Sequence, residues 1–195
     1  MCYTVFMNKE KPVIERKDEL PVKAAEIWLA GGCFWGLEKY FSGVRGVIKT
    51  SVGYANGRVV SPTYKQVCAG TSGCAETVHV MYNPNELPLP RLLNLYMQAI
   101  DPTSLNKQGG DTGEQYRTGI YYLDEADLPA INAEIKKVDA LYSEPVVVEV
   151  KPLSSYYLAE EYHQDYLKKN PTGYCHIGSE LCAAAWNSQQ EKHSG

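Results

Sequence analysis

The sequence predicts an α+β fold: a two-layer sandwich with a mixed central β-sheet covered by helices, a ferredoxin-like core and an irregular C-terminal tail. Three observations carry this expectation. Segments of alternating or β-branched residues intermingle with segments of helical periodicity, without the strict strand–helix–strand repetition of a parallel sheet. No glycine-rich nucleotide fingerprint follows any of the strands. The length of 195 residues, with 44% apolar and 22% charged side chains, suits one ordinary hydrophobic core that needs no metal or disulfide staple.

Taken in order, residues 1–23 mix eight charged side chains from Lys9 to Glu19 with two prolines and show little periodicity, so they read as an N-terminal arm. Cys2 lies in that arm and is expected to have no catalytic role. Residues 26–30 are apolar and β-prone, a buried first strand, and the large residues of 34–42 have helical spacing. After Gly43 and Gly46 a second strand is expected over 47–52, then a turn-rich loop at 53–57, where Asn56-Gly57 is a strong turn signal. Ser61-Pro62-Thr63 opens a short helix over 64–68, with Cys68 expected to face the core.

Residues 77–82 alternate well and form the next strand, with Glu76 at its entrance. The apolar stripe from Leu89 to Ile100 is a helix, ended by Asp101-Pro102. The polar, glycine-rich stretch 106–117 is a long loop, either a binding surface or a connection. A strand over 118–123, a helix over 124–142, a β-branched strand over 146–150 and a last helix over 156–168 follow. On that last helix His163 reads as structural or at a pocket edge, since no partner has ligand spacing. The fold thus divides into the arm 1–23, a catalytic domain over 24–170, and a mobile tail over 171–195 holding Cys175 and Cys182.

Bulk properties exclude several classes. A net charge of −4 gives no nucleic-acid footprint and no basic membrane surface. No apolar run reaches membrane-spanning length, and the N-terminus lacks the basic-then-apolar order of a secretory signal, so a cytoplasmic protein is expected. Six cysteines in a reducing compartment do not make a permanent disulfide framework; Cys-x-x-Cys is absent and no spacing makes a zinc site. Inert thiols and a few redox-active ones remain.

The chemistry is expected at Gly31-Gly32-Cys33-Phe34-Trp35-Gly36, where a strand turns into a helix. Unpaired N–H groups and the positive end of the helix dipole favour an anion there, so a thiol pKa below the free value of about 8.5 is expected. Phe34 and Trp35 add an apolar wall beside the sulfur. On its own, a cysteine at a strand end is more often an inert core residue than a nucleophile.

The combination Gly32-Cys33-Phe34-Trp35-Gly36 resembles the catalytic signature of the A-type peptide methionine sulfoxide reductases, and the resemblance extends from about Ile27 to Gly178. Pro62-Thr63-Tyr64-Lys65-Gln66-Val67-Cys68-Ala69-Gly70 resembles the segment bearing one pocket tyrosine, Ala75-Glu76 the acid, and Asp111, Gly113 and Gln115-Tyr116-Arg117 the loop with the second tyrosine. Glu161 to Leu167, Asn170-Pro171 and Gly173-Tyr174-Cys175 match the end of the pattern. Two departures stand out: Cys74 occupies a place where the family commonly has histidine, and the Cys182 region follows the pattern only loosely.

The resemblance implies reduction of methionine S-sulfoxide, free or in proteins, by a chain that binds no metal or organic cofactor. A sulfoxide presents a methyl group and a strongly accepting oxygen on one sulfur, so its pocket needs an apolar side and a donor side. Phe34 and Trp35 then hold the methyl, Cys33 attacks, Tyr64, Glu76 and Tyr116 donate, and Asp111 supports the tyrosines. For Glu76 to supply a proton near neutral pH, burial must raise its pKa. The sulfenic acid left on Cys33 condenses with a second thiol. Cys175, on a glycine-flanked tail, suits that step, although a tail cysteine can equally be incidental. Cys182 can exchange onto the new disulfide, and a thioredoxin-type dithiol closes the cycle in a monomeric enzyme. Two other readings compete: a thiol peroxidase, which has no use for the aromatic wall, and a non-catalytic module that binds oxidised peptides.

Overall fold

The computed structural model describes residues 23–187, so the arm and Cys2 lie outside the described residues. The first two elements are strand β1 (Ala25–Ala30) and helix α1 (Phe34–Ser42). Next come β2 (Val47–Ala55), the one-turn α2 (Tyr64–Cys68), β3 (Ala75–Tyr82) and α3 (Leu89–Ala99). A two-stranded ribbon, β4 (Lys107–Gln108) and β5 (Asp111–Thr112), precedes β6 (Gly119–Tyr122) and α4 (Leu128–Asp139). The chain then forms β7 (Glu149–Pro152), β8 (Tyr156–Leu158), α5 (Tyr166–Lys169) and α6 (Ser179–Asn187).

The main sheet runs β7-β6-β1-β3-β2-β8. Each of its inner four strands is antiparallel to its neighbours among them, and with the crossovers α1 and α3 they make the β-α-β-β-α-β arrangement of a ferredoxin-like core. β7 joins in parallel to β6, and β8 pairs antiparallel with β2, so the sheet is mixed.

Period-two alternation explains β1. Ile27 and Leu29 point into the large core with Phe34, Leu37, Tyr96 and Ile120, while Trp28 and Ala30 point to a small cluster on the other face with Ala55, Ala75 and Tyr121. With both faces covered, the strand reads as a continuous apolar run. The Tyr96 hydroxyl donates to the Ala30 carbonyl at 2.6 Å and accepts from the Gly119 N–H at 3.0 Å, pinning the C-terminal end of β1 where the chain turns toward α1. Among the described residues no helix is long and apolar enough to cross a membrane.

Four local expectations are corrected. The helix expected over 156–168 is a short strand, a 3-10 turn at Glu161–His163 and the single turn α5. The β2 edge explains this. Tyr156–Leu158 pairs with Gly53–Ala55, and Gln164 then takes over from the strand, its amide accepting from Val52 N–H and donating to Val52 and Ala159 carbonyls, each at 2.9 Å. The loop expected at 53–57 accordingly begins as strand. Gly53 is required there because a Cβ would come within 2.5 Å of the Tyr157 carbonyl oxygen and 2.6 Å of the Tyr156 ring.

Cys68 is exposed, because Val67 takes the core position of the one-turn α2 and the next residue rotates about 100° away. Finally, the tail expected to be irregular contains α6, docked on α1. Cys182 and Ala185 are buried, and the Trp186 indole N–H donates to the Tyr40 carbonyl at 2.8 Å.

Candidate active site

Cys33 is the N-cap residue of α1, reached through Gly32 in a left-handed conformation (φ +80°) that only glycine adopts without strain. It is 7% exposed. The N–H groups of Trp35 and Gly36 act on the sulfur in the expected sense, lowering its pKa, but they are outweighed. Burial pushes the thiol well above its ordinary value, and the carboxylates of Glu76 and Asp111 add to the effect. The expectation of a thiol pKa below the free value is therefore corrected: burial and the two carboxylates outweigh the helix terminus.

Glu76 sits at the start of β3, next to Cys33 in space, 2% exposed, with Oε2 accepting from the Phe34 N–H at 3.1 Å. Burial raises its pKa to about 8; the Phe34 bond opposes this and the Asp111 charge assists it. The carboxyl is thus mostly neutral at pH 7, as a proton donor must be.

Tyr116, on a 3-10 turn at Glu114–Tyr116, and Tyr64, first residue of α2, approach the same place. Burial and then, for Tyr116, the carboxylates of Glu76 and Asp111 push both phenols far above their ordinary range; for Tyr64 a hydrogen bond with Cys68 precedes the Glu76 effect. Both phenols remain donors at any working pH. Asp111 reaches the cluster from β5, where it acts electrostatically on Cys33, Glu76 and Tyr116.

The aromatic wall is braced from behind. Trp35 stacks on Tyr166 with centroids 3.8 Å apart and 13° between planes, and its indole N–H donates to Nδ1 of the buried His163 at 3.1 Å. Burial holds His163 below the usual imidazole pKa, so it stays neutral and accepts that bond. Phe34 is fully buried against Tyr54 and His163, whereas Trp35 is half-buried.

The roles of several residues of this frame escaped the sequence reading. Glu160 accepts from the Tyr54 hydroxyl at 2.7 Å and from the Tyr64 N–H at 3.0 Å, tying α2 to β2. Arg117, buried and paired with Glu149 at 3.1 Å, donates to the carbonyls of Gly73 and Glu114, which fixes the loops carrying Glu76 and Tyr116 together. His163, Tyr166 and Arg117 were visible as parts of matched motifs, but the partners of Arg117 and Glu160 are distant in sequence, and only the fold reveals what they tie together.

The remaining cysteines divide. The Cys175 sulfur lies over Gly36, one turn into α1 from Cys33: a Cβ on Gly36 would come within 3.3 Å of it. Cys182 is 2% exposed; burial, and then the nearby Cys175, raise its pKa above the ordinary thiol value. Cys74 is buried on Gly57 and Ser72, with the charges of Arg117 and Arg58 acting on it. Among the described residues no cluster of His, Cys, Asp or Glu is arranged to hold a metal ion.

A thiol at a helix start, a carboxyl of raised pKa beside it, two phenolic donors and an aromatic wall make a site suited to a thiol oxidoreductase. Residues 25–194 match the family model described as peptide methionine sulfoxide reductase. The chain belongs to that family, and it reduces methionine sulfoxide with a cysteine thiol. It is 59% identical over 152 residues to the peptide methionine sulfoxide reductase MsrA of Lachnoclostridium phytofermentans, covering 78% of this chain and 92% of that one. The MsrA of Mycoplasma genitalium is 55% identical over the same length, with 78% and 97% covered. Among solved structures, Mxr1 from Saccharomyces cerevisiae in reduced form superposes with a TM-score of 0.75 at 37% identity, over 80% of this chain and 90% of that one.

Proposed function

We propose that the chain reduces the S epimer of methionine sulfoxide, free or in proteins, with Cys33 as nucleophile and Glu76 as proton donor. The observation that carries this is the buried Glu76 carboxyl, neutral at pH 7, bonded to the N–H of the residue that follows Cys33. The sulfoxide methyl rests against Trp35 and Phe34. Its oxygen accepts from Glu76, Tyr64 and Tyr116, with Asp111 supporting the phenols. Transfer of the Glu76 proton makes the substrate sulfur electrophilic and leaves a carboxylate that can take up the Cys33 proton as the thiol attacks. That order explains why the resting thiol need not be ionised.

Oxygen ends on Cys33 as a sulfenic acid, and Cys175 condenses with it, releasing water. Cys182 then exchanges onto the Cys33–Cys175 disulfide, and a thioredoxin-type dithiol reduces the product. In this scheme residues 24–170 form the catalytic unit, 171–195 carry the resolving and recycling thiols, and the enzyme works as a monomer in the cytoplasm without nucleic acid or cofactor.

The test is dithiothreitol-driven turnover on separated S and R epimers of a methionine sulfoxide, alongside hydrogen peroxide. Turnover confined to the S epimer is expected. Turnover of peroxide alone establishes the peroxidase reading, and binding without turnover establishes the binding module.

A further inference from the structure

His176 follows the proposed resolving thiol in sequence, and no step described so far uses it. Its Nε2 lies 3.0 Å from the carbonyl oxygen of Gly31. A carbonyl can only accept, so Nε2 carries the hydrogen and Nδ1 is left with a lone pair. That Nδ1 is buried and has no hydrogen-bond partner.

The ring sits in a slot made by three glycines. A Cβ on Gly32 would come within 3.1 Å of Nε2, one on Gly109 within 3.1 Å of the His176 Cβ, and one on Gly36 within 3.0 Å of Nδ1. The last point is also within 3.3 Å of the Cys175 sulfur, so the free lone pair and the thiol converge on one spot above the first turn of α1. The thiol itself donates to the Ile177 carbonyl at 3.1 Å, a contact that holds it but cannot take its proton.

We propose that His176 is the general base of the resolving step, taking the Cys175 proton on Nδ1 as that sulfur attacks the Cys33 sulfenic acid. The inference rests on the reading of Cys175 as resolving residue. The Cys175 S–H bond breaks toward Nδ1, and the freed electron pair forms the S–S bond. The Cys33 S–O bond breaks, and the departing hydroxide recovers the proton from the imidazolium and leaves as water. One sulfur is oxidised and the other reduced to the disulfide level, so no further reagent is needed.

The titratable groups around the ring are Asp111 from β5, whose charge favours the imidazolium, Tyr174 and Cys175 on its own segment, and Cys33 beyond Gly32. Burial prevails over Asp111 and keeps the imidazole below its ordinary pKa, so a base is available at neutral pH.

The experiment follows one turnover with methionine S-sulfoxide in the full chain, recording methionine, dimedone-trapped Cys33 sulfenic acid and the Cys33–Cys175 disulfide separately. His176→Gln keeps an amide N–H for the Gly31 carbonyl but has no base; His176→Phe keeps the ring volume. With His176→Gln the methionine burst is expected unchanged, while disulfide formation slows about 10²-fold, the lower end of general-base contributions, and sulfenic acid accumulates. Disulfide formation in the unmodified protein should fall on the acid side as the imidazole protonates, a limb the Gln variant loses. An unaltered disulfide rate or an unaltered acid limb in His176→Gln overturns the proposal, as does an equal slowing of burst and disulfide formation in both variants. Cys175→Ser separates this from its parent: if the sulfenic acid there still disappears at the original rate, Cys175 is not the resolving residue and both readings fall.

Discussion

The catalytic pocket and the segment carrying Cys175 and Cys182 are held in different ways. Cys33 and Glu76 hang on β1 and β3, the two central strands, whose register is continuous from Ala25↔Tyr82 to Ala30↔Thr77. Among the described residues, the segment from Tyr174 onward joins no strand. It is fastened by side-chain contacts: the Gly110 N–H to the Tyr174 hydroxyl at 3.4 Å, His176 to Gly31 at 3.0 Å and Trp186 to Tyr40 at 2.8 Å. Backbone ladders in a core open only with global unfolding, whereas a few surface contacts open locally at low cost. Attack on a sulfoxide needs atoms fixed to fractions of an ångström; disulfide exchange needs a thiol that meets one partner and then another. The chain gives each step the rigidity it requires.

The largest effect should come from breaking the rigid half without moving it. Glu76→Gln keeps an acceptor for the Phe34 N–H but holds no transferable proton, so the first-turnover methionine burst should fall by about 10²–10⁴. The sign of the pH dependence follows from a folded pKa of about 8 against an ordinary 4.5. The fold favours the protonated carboxyl, so this group's stabilising contribution is complete below the unfolded value and is lost as pH rises through about 8. The burst of the unmodified protein should decline between pH 7 and 9, and the Glu76 share of its denaturation midpoint should be lost from about pH 4.5 to about pH 8. In Glu76→Gln the Glu76 share of both declines disappears; a Gln variant that keeps the full burst removes the carboxyl from the mechanism.

Gly36→Ala probes the seam between the two regions. A methyl there would press on Cys175 at 3.3 Å and His176 at 3.0 Å, while alanine is the better helix former by about 1 kcal/mol. Disulfide formation should slow by about 10–10²-fold, as small misplacements of reacting groups do, with the methionine burst and thermal midpoint held or raised. A loss of burst and disulfide in equal measure would show that the contact supports the pocket itself.

The same division governs how much the sequence revealed. Where structure is local it was legible: the strand-to-helix turn at Cys33, the α1 boundaries, the helix start at Ser61-Pro62-Thr63 that opens α2, and the alternation of β3. Residues 156–168 misled because their apparent helical character is overruled by distant partners, with Gln164 bonding Val52 and Glu160 bonding Tyr54. The charge state of Cys33 misled for a related reason. The helix terminus is visible in the sequence, but the burial and the two carboxylates that outweigh it come from β3 and β5. α6 was read as tail because its nine residues carry one short apolar face, which acquires meaning only against Tyr40 of α1 and Gly43 just after it.

Trp186→Ala loosens the other half alone. The indole fills the space over Gly43, where a Cβ would come within 2.2 Å of the ring, and it bonds the Tyr40 carbonyl. Without it α6 opens more often, so alkylation of the buried Cys182 should accelerate about tenfold, equivalent to about 1.4 kcal/mol in the local opening equilibrium. The methionine burst should not change. An unchanged alkylation rate would mean that Cys182 and Ala185, rather than the indole, hold the helix down.

The smallest effect tests whether the wall of the pocket needs its brace. Tyr166 lies on the one-turn α5, which belongs in sequence to the loosely built end of the chain, yet its ring stacks on Trp35 at 3.8 Å. An aromatic pair of this kind is worth about 0.5–1.5 kcal/mol beyond its burial. The His163 bond still orients the indole when the stack is removed, so Trp35 should lean rather than swing away in Tyr166→Leu. Binding of the methyl group should then weaken while the placement of Cys33 and Glu76 persists: KM for the sulfoxide rises by roughly 2–10-fold and kcat is retained. A fall in kcat instead would move Tyr166, and α5 with it, from the substrate wall into the machinery that aligns the reacting sulfur.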